Sequence, residues 1–220
     1  MNVVIGVKGE KACFADPSCS RQHLVTYPVI TPSAARGVLS SIFRKPEFDW
    51  NIKRIAVLRP GRSDNRFVNE IRFPAGTKPF VAADHHIQVS SRILRDVEYV
   101  IEAEPVVLNR GTPASPNTPM KYVAEFERRM QGKKPFYRTP CLGPREFTAR
   151  VYPLKKFPSH GDKNLPEMKI QGLLIGLSHG DQRGDGGPTY PFFKTLTMKN
   201  GIIQVPRFLG SEYRPQKEPK

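Results

Sequence analysis

The stretch Thr31–Pro46 (TPSAARGVLSSIFRKP) constrains the fold more than any other part of the chain. Thr31 can accept a hydrogen bond from a first-turn amide, and Pro32 suits the first helical position, so a helix is predicted to start here. Ala35, Val38, Leu39, Ile42 and Phe43 recur at helical spacing and form one apolar stripe. Pro46 stops the helix, which puts Arg44 and Lys45 at its C-terminal end, where the dipole favours cations. Apolar runs on either side, Val3–Val7 and Ile52–Leu58, read as strands. The helix between them is then the crossover of a β-α-β unit.

Further along, Asn2–Lys8 reads as a central strand, and Val25–Ile30 as an extended segment that Pro28 keeps from the middle of a sheet. Ile52–Arg59 reads as a strand and Ser91–Leu108 as another, alternating from Val97 onward. The insertion from Pro60 to Ser91 carries Arg62, Arg66, Arg72 and Lys78 among short apolar runs; it is either a basic hairpin arm or a loop solvated by its own charges. A second helix is expected over Lys121–Gln131, with Tyr122, Val123, Phe126 and Met130 on one face and Gly132 as a stop. Phe147–Leu154 follows as a strand. This order is the split β-α-β plan of ferredoxin-like domains, an α+β class that includes RNA-recognition modules. Ile170–Leu177, Phe192–Met198 and Ile202–Val205, with an Asn200-Gly201 hairpin turn, predict a small C-terminal antiparallel sheet packed on the first domain. The expected organisation is a domain over 1–152 with the insertion at 60–91, a small β domain over 153–208 and a tail over 209–220.

Charge narrows the partner. With 35 Lys and Arg against 20 Asp and Glu, the 220-residue chain carries a formal net charge of +15 and is drawn to polyanions. Ribosomal proteins, membrane-surface proteins and nucleases share that balance, so composition alone points to nucleic acid and goes no further. Three cysteines without a CxxC pair and five scattered histidines suggest no disulfide framework, metal or cofactor. Met1–Val7 lacks the basic start of a signal peptide and no apolar run approaches the ~20 residues that span a bilayer, so a cytoplasmic protein with no membrane partner is expected.

Lys121–Lys156 concentrates ten Lys or Arg, interleaved with Tyr122, Phe126, Phe136, Tyr137 and Phe147. Cations for phosphates and flat rings for bases are what single-stranded RNA recognition requires. For Phe126 and Phe147 core packing is the preferred role, whereas Tyr137, set among prolines and charges, is the better stacking residue. Gly143 allows a close backbone approach, and Arg145 beyond it is suited to a phosphate, although an ordinary turn is the default there.

Several motifs, in order along most of the chain, resemble CRISPR-associated protein family five in its type I-C form. They are YPVITPSAARGVLSSIFRKPEF (Tyr27–Phe48), IKRIAVLRP (Ile52–Pro60), NEIRF (Asn69–Phe73), RDVEYVIEAE (Arg95–Glu104), PCLGPREF (Pro140–Phe147) and PFFKTLTMKNGII (Pro191–Ile203). The resemblance implies a RAMP-type ferredoxin-like domain with a basic thumb, in an RNA-guided Cascade complex alongside backbone and large subunits. It implies a grip on the 5′ handle of the crRNA, target DNA met through the complex, and metal-free cleavage of pre-crRNA by a 2′-hydroxyl. The implied catalytic set is a tyrosine before the Lys-Pro pair and a lysine–histidine pair opening the second helix. Lys121 matches the lysine, Tyr122 stands at the histidine and Phe43 at the tyrosine. Lys121 and Tyr122 are therefore the expected catalytic residues. Tyr27, Arg36, Arg44 and Lys45, with Lys133, Lys134, Tyr137, Arg138, Gly143 and Arg145, are the expected RNA contacts. A handle-capping scaffold without cleavage remains the alternative.

Overall fold

A computed structural model describes residues 1–17, 19, 23–71, 81, 85–108, 111–112, 115–179 and 189–209. In chain order the elements are β1 (Val3–Ala12), β2 (His23–Val25), α1 (Pro32–Ile42), β3 (Phe48–Arg59), β4 (Arg62–Ile71), β5 (His86–Val107), β6 (Gly111–Thr112), β7 (Ser115–Pro116), α2 (Pro119–Met130), β8 (Arg150–Pro153), β9 (Met168–His179), β10 (Thr189–Lys199) and β11 (Ile202–Gln204). One nine-stranded sheet dominates, with the path β8-β1-β5-β3-β11-β10-β9 and with β2 and β4 pairing to β5.

β1 and β3 both pair antiparallel with β5, so they run parallel to each other with β5 between them. α1 is thus the crossover of a split β-α-β unit. β5 and β8 flank β1 in the same way, and α2 makes the second crossover. The helices touch each other, so both lie on one face of the sheet, α1 over β3 and β9, α2 over β5 and β8.

α1 forms for the reasons its sequence suggests: Thr31 Oγ1 accepts from Ala34 N, Pro32 opens the first turn, and Ala35, Val38, Leu39 and Ile42 are buried. It ends earlier than expected. Phe43 leaves the helix in extended geometry, buries its ring beside Phe48 and gives its carbonyl to Trp50 Nε1. Arg44 and Lys45 consequently lie beyond the last turn, both exposed. α2 starts two residues before its expected position, capped by Thr118 with Pro119 in the first turn.

Among the described residues, the insertion after Pro60 begins as a strand. β4 pairs along its whole length with the first half of β5, while β3 pairs with the second half. β3 and β4 are therefore one line of chain broken at Pro60-Gly61. Gly61 has φ +84°, and a Cβ there would meet the Arg95 carbonyl oxygen at 2.7 Å, so the kink requires glycine. Opposite it, Asp96 takes the left-handed conformation at the point where β5 changes partner. The arm is less basic than its composition implies: within β4 Arg62 pairs with Asp96 and Arg66 with Glu146, and beside it Arg59 of β3 pairs with Glu98 and Arg95 of β5 with Asp64. Arg72, Lys78, the glycine-rich stretch 180–187 and the chain beyond residue 209 lie outside the described residues.

The C-terminal strands are antiparallel, and Asn200 and Gly201 both adopt positive φ in the expected hairpin turn. They do not stand apart as a second sheet. β11 pairs with β3 (Ile202↔Ala56 to Gln204↔Arg54), which continues the main sheet through β10 to β9. Phe43, Phe48, Trp50, Tyr122 and Phe126 form an aromatic cluster between the helices and the sheet, all at most 5% exposed. Burial of each such side chain contributes roughly 1.5–3 kcal/mol. Phe147 is likewise buried, as its core reading required.

Candidate nucleic-acid interface

The chain just after α1, α2 from Lys121 to Arg129, and Lys134 beyond it line a cleft of about 520 Å³. Five cations face it (Lys45, Lys121, Arg128, Arg129 and Lys134) against two carboxylates, Glu47 and Glu125. A concave surface with this balance attracts a polyanion.

Glu125 organises the cations. It accepts from Lys134 Nζ at 2.9 Å, and lies 3.4 Å from Arg129 and 3.7 Å from Arg128. The Lys134 hydrogen bond, with the nearby guanidinium groups, holds its carboxyl below the usual glutamate range. Arg129 also donates to the Pro135 carbonyl at 2.6 Å and lies 5.0 Å from the Phe43 ring centroid. The position where the resemblance implies a tyrosine is thus a buried phenylalanine covered by a cation.

Adjacent residues at the start of α2 point to opposite environments. Lys121 is exposed, donates from Nζ to Asn117 Oδ1 at 3.1 Å, and lies 5.9 Å from the Tyr122 ring centroid. Tyr122 stacks on Phe48 at 4.3 Å, and its hydroxyl is buried without a hydrogen-bond partner. Burial, and then the charge of Glu47, push the hydroxyl's pKa up, so at neutral pH Tyr122 keeps its proton. It can donate or position, but it is no base.

Of the other sequence-predicted contacts, the structure brings Lys45 and Lys134 into the cleft. Backbone amides of Tyr137 and Arg138 donate to the Ile42 and Ser41 carbonyls, which seats that loop on the end of α1. Tyr137 is 51% exposed, with the Arg138 guanidinium over its ring at 5.1 Å. Arg44 and Lys133 are exposed outside the cleft lining.

Three of the expected contacts have protein partners instead. Tyr27 is buried, and its hydroxyl donates to the Gly172 carbonyl. Arg36 spends its guanidinium on the Trp50 and Phe208 carbonyls, at 2.9 and 2.8 Å. Gly143, at φ +101°, serves a protein contact: a Cβ there would lie 2.0 Å from the Cys13 carbonyl oxygen. Arg145 is exposed on the same loop, away from the cleft. Sequence reasoning missed Glu47 and Glu125 as cleft residues and treated Arg128 and Arg129 only as part of a charge count. The i, i+3 and i, i+4 spacing of Glu125 to the two arginines was the available signal; nothing in the sequence joins Glu47 to Tyr122. Among the described residues no group of His, Cys, Asp and Glu could hold a metal ion, and no helix is long and apolar enough to cross a membrane.

Fold and cleft together define an α+β protein with a cation-lined groove at the junction of its two crossover helices. The family described as CRISPR-associated protein (Cas_Cas5) matches residues 3–206, and the chain belongs to it. Over 215 residues it is 44% identical to the CRISPR pre-crRNA endoribonuclease Cas5d of Thermus thermophilus, covering 92% of this chain and 90% of that one. It is 33% identical over 220 residues to the protein of the same name from Mannheimia succiniciproducens, with 94% and 95% covered. A crystal structure of a functionally uncharacterized protein from Streptococcus mutans shares the fold with a TM-score of 0.66 at 23% identity, covering 96% and 94% of the two chains. Another, of a CRISPR-associated protein, does so at 0.62 and 22%, with the same coverage.

Proposed function

We propose that this chain is a pre-crRNA endoribonuclease of a type I-C-like Cascade, which cuts the repeat without a metal and keeps the 5′ handle of the crRNA. The observation that carries the reading is the cleft, where Lys121 stands at a helix start beside a protonated tyrosine and amid four further cations. Its relatives' names agree with it. Lys121 stabilises the charge that develops on the phosphate, and Tyr122 assists proton transfer. Lys45, Arg128 and the exposed Arg44, Lys133 and Arg145 hold phosphates of the handle, and Tyr137 stacks a base. The strand order β8-β1-β5-β3 with two crossover helices supports a ferredoxin-like, RAMP-type domain over 1–152. The β4–β5 hairpin serves as the thumb, and β9, β10 and β11 are the C-terminal β unit, joined to the main sheet through β3. The protein acts in the cytoplasm with backbone and large subunits, and meets target DNA through the complex.

One observation favours a handle-capping scaffold instead: Phe43, in the position of the implied tyrosine, has no proton to exchange. Incubating the purified chain with its repeat RNA in EDTA separates the two. Cleavage that leaves a 2′,3′-cyclic phosphate and is lost in Lys121→Ala is expected. Tight binding with the RNA intact would refute the nuclease and leave the scaffold.

A further inference from the structure

Two polar atoms bordering the cleft are sealed from solvent without a hydrogen-bond partner, Tyr122 Oη and Glu47 Oε2. Glu47 lies between α1 and β3, and its carbonyl accepts from Leu108 N at 2.8 Å, which anchors it to the end of β5. Tyr122 approaches from α2. The hydroxyl has a proton to offer and the carboxylate oxygen a lone pair to receive it, and the Glu47 charge acts on that hydroxyl. The other carboxylate of the cleft, Glu125, is committed to Lys134, Arg128 and Arg129. Glu47 Oε2 is left open.

A carboxylate in a groove for a polyanion weakens binding, so affinity gives no reason for Glu47. Proton transfer does. A 2′-hydroxyl attacking phosphorus needs a base, Phe43 has no group to act as one, and Tyr122 keeps its proton. We infer that Glu47 is the general base for RNA cleavage in this cleft, with Tyr122 as the positioning residue that engages its Oε2; this rests on the endoribonuclease reading above. Glu47 Oε1 takes the 2′-hydroxyl proton, and the O2′–P bond forms as the P–O5′ bond breaks. The Lys121 ammonium gives a proton to the departing O5′. The products are a 2′,3′-cyclic phosphate and a 5′-hydroxyl; solvent then reprotonates Lys121 and deprotonates Glu47, and no further reactant is needed.

The test is single-turnover cleavage of repeat RNA in EDTA by the full chain, Glu47→Gln, Glu47→Asp and Lys121→Ala. A second substrate carries a bridging sulfur in place of the scissile O5′. Glu47→Gln removes a negative charge, so it is expected to bind the repeat as tightly as wild type or tighter, yet to cleave about 10²–10⁴-fold more slowly. Sulfur leaves without a proton, so it is expected to restore part of the Lys121→Ala rate and none of the Glu47→Gln rate. Glu47→Asp keeps a base on a shorter arm and is expected to outperform Glu47→Gln. Wild-type cleavage by Glu47→Gln, rescue of that variant by sulfur, or the reverse order of the two substitutions would overturn the assignment while the nuclease reading stands. No cleavage by the unmodified chain would overturn both. A fall in Glu47→Gln repeat affinity matching its fall in rate would make Glu47 a structural residue and also overturn the assignment.

Discussion

Replacing Tyr122 with phenylalanine separates the cost of this cleft from its use. Tyr122 is 1% exposed, and its ring is held by stacking on Phe48 at 4.3 Å and 22°, a contact that phenylalanine reproduces. The substitution removes one atom, a hydroxyl oxygen with no partner in the free protein. Leaving a buried polar group unpaired costs roughly 1–3 kcal/mol, because the unfolded chain would hydrogen-bond it to water. Tyr122→Phe should therefore stabilise the chain by about 1–2 kcal/mol. In a protein of this size each kcal/mol moves Tm by roughly 2–4 °C, so the midpoint should rise by about 2–8 °C. Urea unfolding followed by the single tryptophan is the direct assay, since Trp50 is buried and packs edge-on against Phe126 in the same cluster. The denaturant midpoint should rise while the slope stays constant. Repeat cleavage should nevertheless slow about tenfold or more, as expected where a functional group is kept at the expense of stability. A midpoint lowered by the equivalent of about 1 kcal/mol or more would refute the reasoning, because the hydroxyl would then have a partner before RNA arrives.

Gly143→Ala should destabilise the chain by roughly 2 kcal/mol or more through left-handed strain and the clash with the Cys13 carbonyl; urea unfolding reads this, and repeat affinity of the folded fraction should not change. Lys45→Glu should weaken repeat binding and flatten the log–log salt dependence by about 0.7 per lost phosphate contact, measured by titration at several salt concentrations. Glu125 has a depressed carboxyl pKa, so its stabilising contribution is present above its ordinary value of about 4.5 and is lost as pH falls through the lowered folded value. The urea midpoint of Glu125→Gln should accordingly trail wild type at about pH 6–7, and the gap should close as the pH falls through that lowered value.

The parts of the fold that were legible in the sequence are those written in local chemistry. Thr31, Pro32 and the stripe ending at Ile42 determine where α1 starts and which face it buries, and Asn200-Gly201 supplies the positive φ of its turn. The less legible features depend on residues far apart in the chain. β11 is three residues long, and nothing local says that Ile202 will pair with Ala56 and fuse the C-terminal strands to the main sheet. The kink at Gly61 is explained by the Arg95 carbonyl across the hairpin. The candidate site shows the same dependence. Tyr27 and Arg36 have the side chains of RNA contacts, but the fold delivers them to Gly172, Trp50 and Phe208. Glu47 was invisible because its relation to Tyr122 exists only once α1 and α2 lie on one face of the sheet.

The meeting of those helices also explains why anions should be favoured at a place where two dipole ends coincide. The C-terminal end of α1 alone would present unpaired carbonyls and repel a phosphate. The Tyr137 and Arg138 amides occupy the Ile42 and Ser41 carbonyls, and Phe43 N closes onto Leu39. The α2 N-terminus, positive by its own dipole, carries Lys121 at one end of the cleft, and Arg128 and Arg129 of the last turn line the rest. On the function proposed above, the loop that seats Tyr137 would serve RNA twice: its ring would take a base, and its amides cancel the backbone charge that would oppose a phosphate beside it. Moving Tyr137 without breaking those two amide bonds should cost base stacking alone, whereas a deletion that shortens the loop should also unmask the α1 carbonyls and weaken binding of every sequence alike.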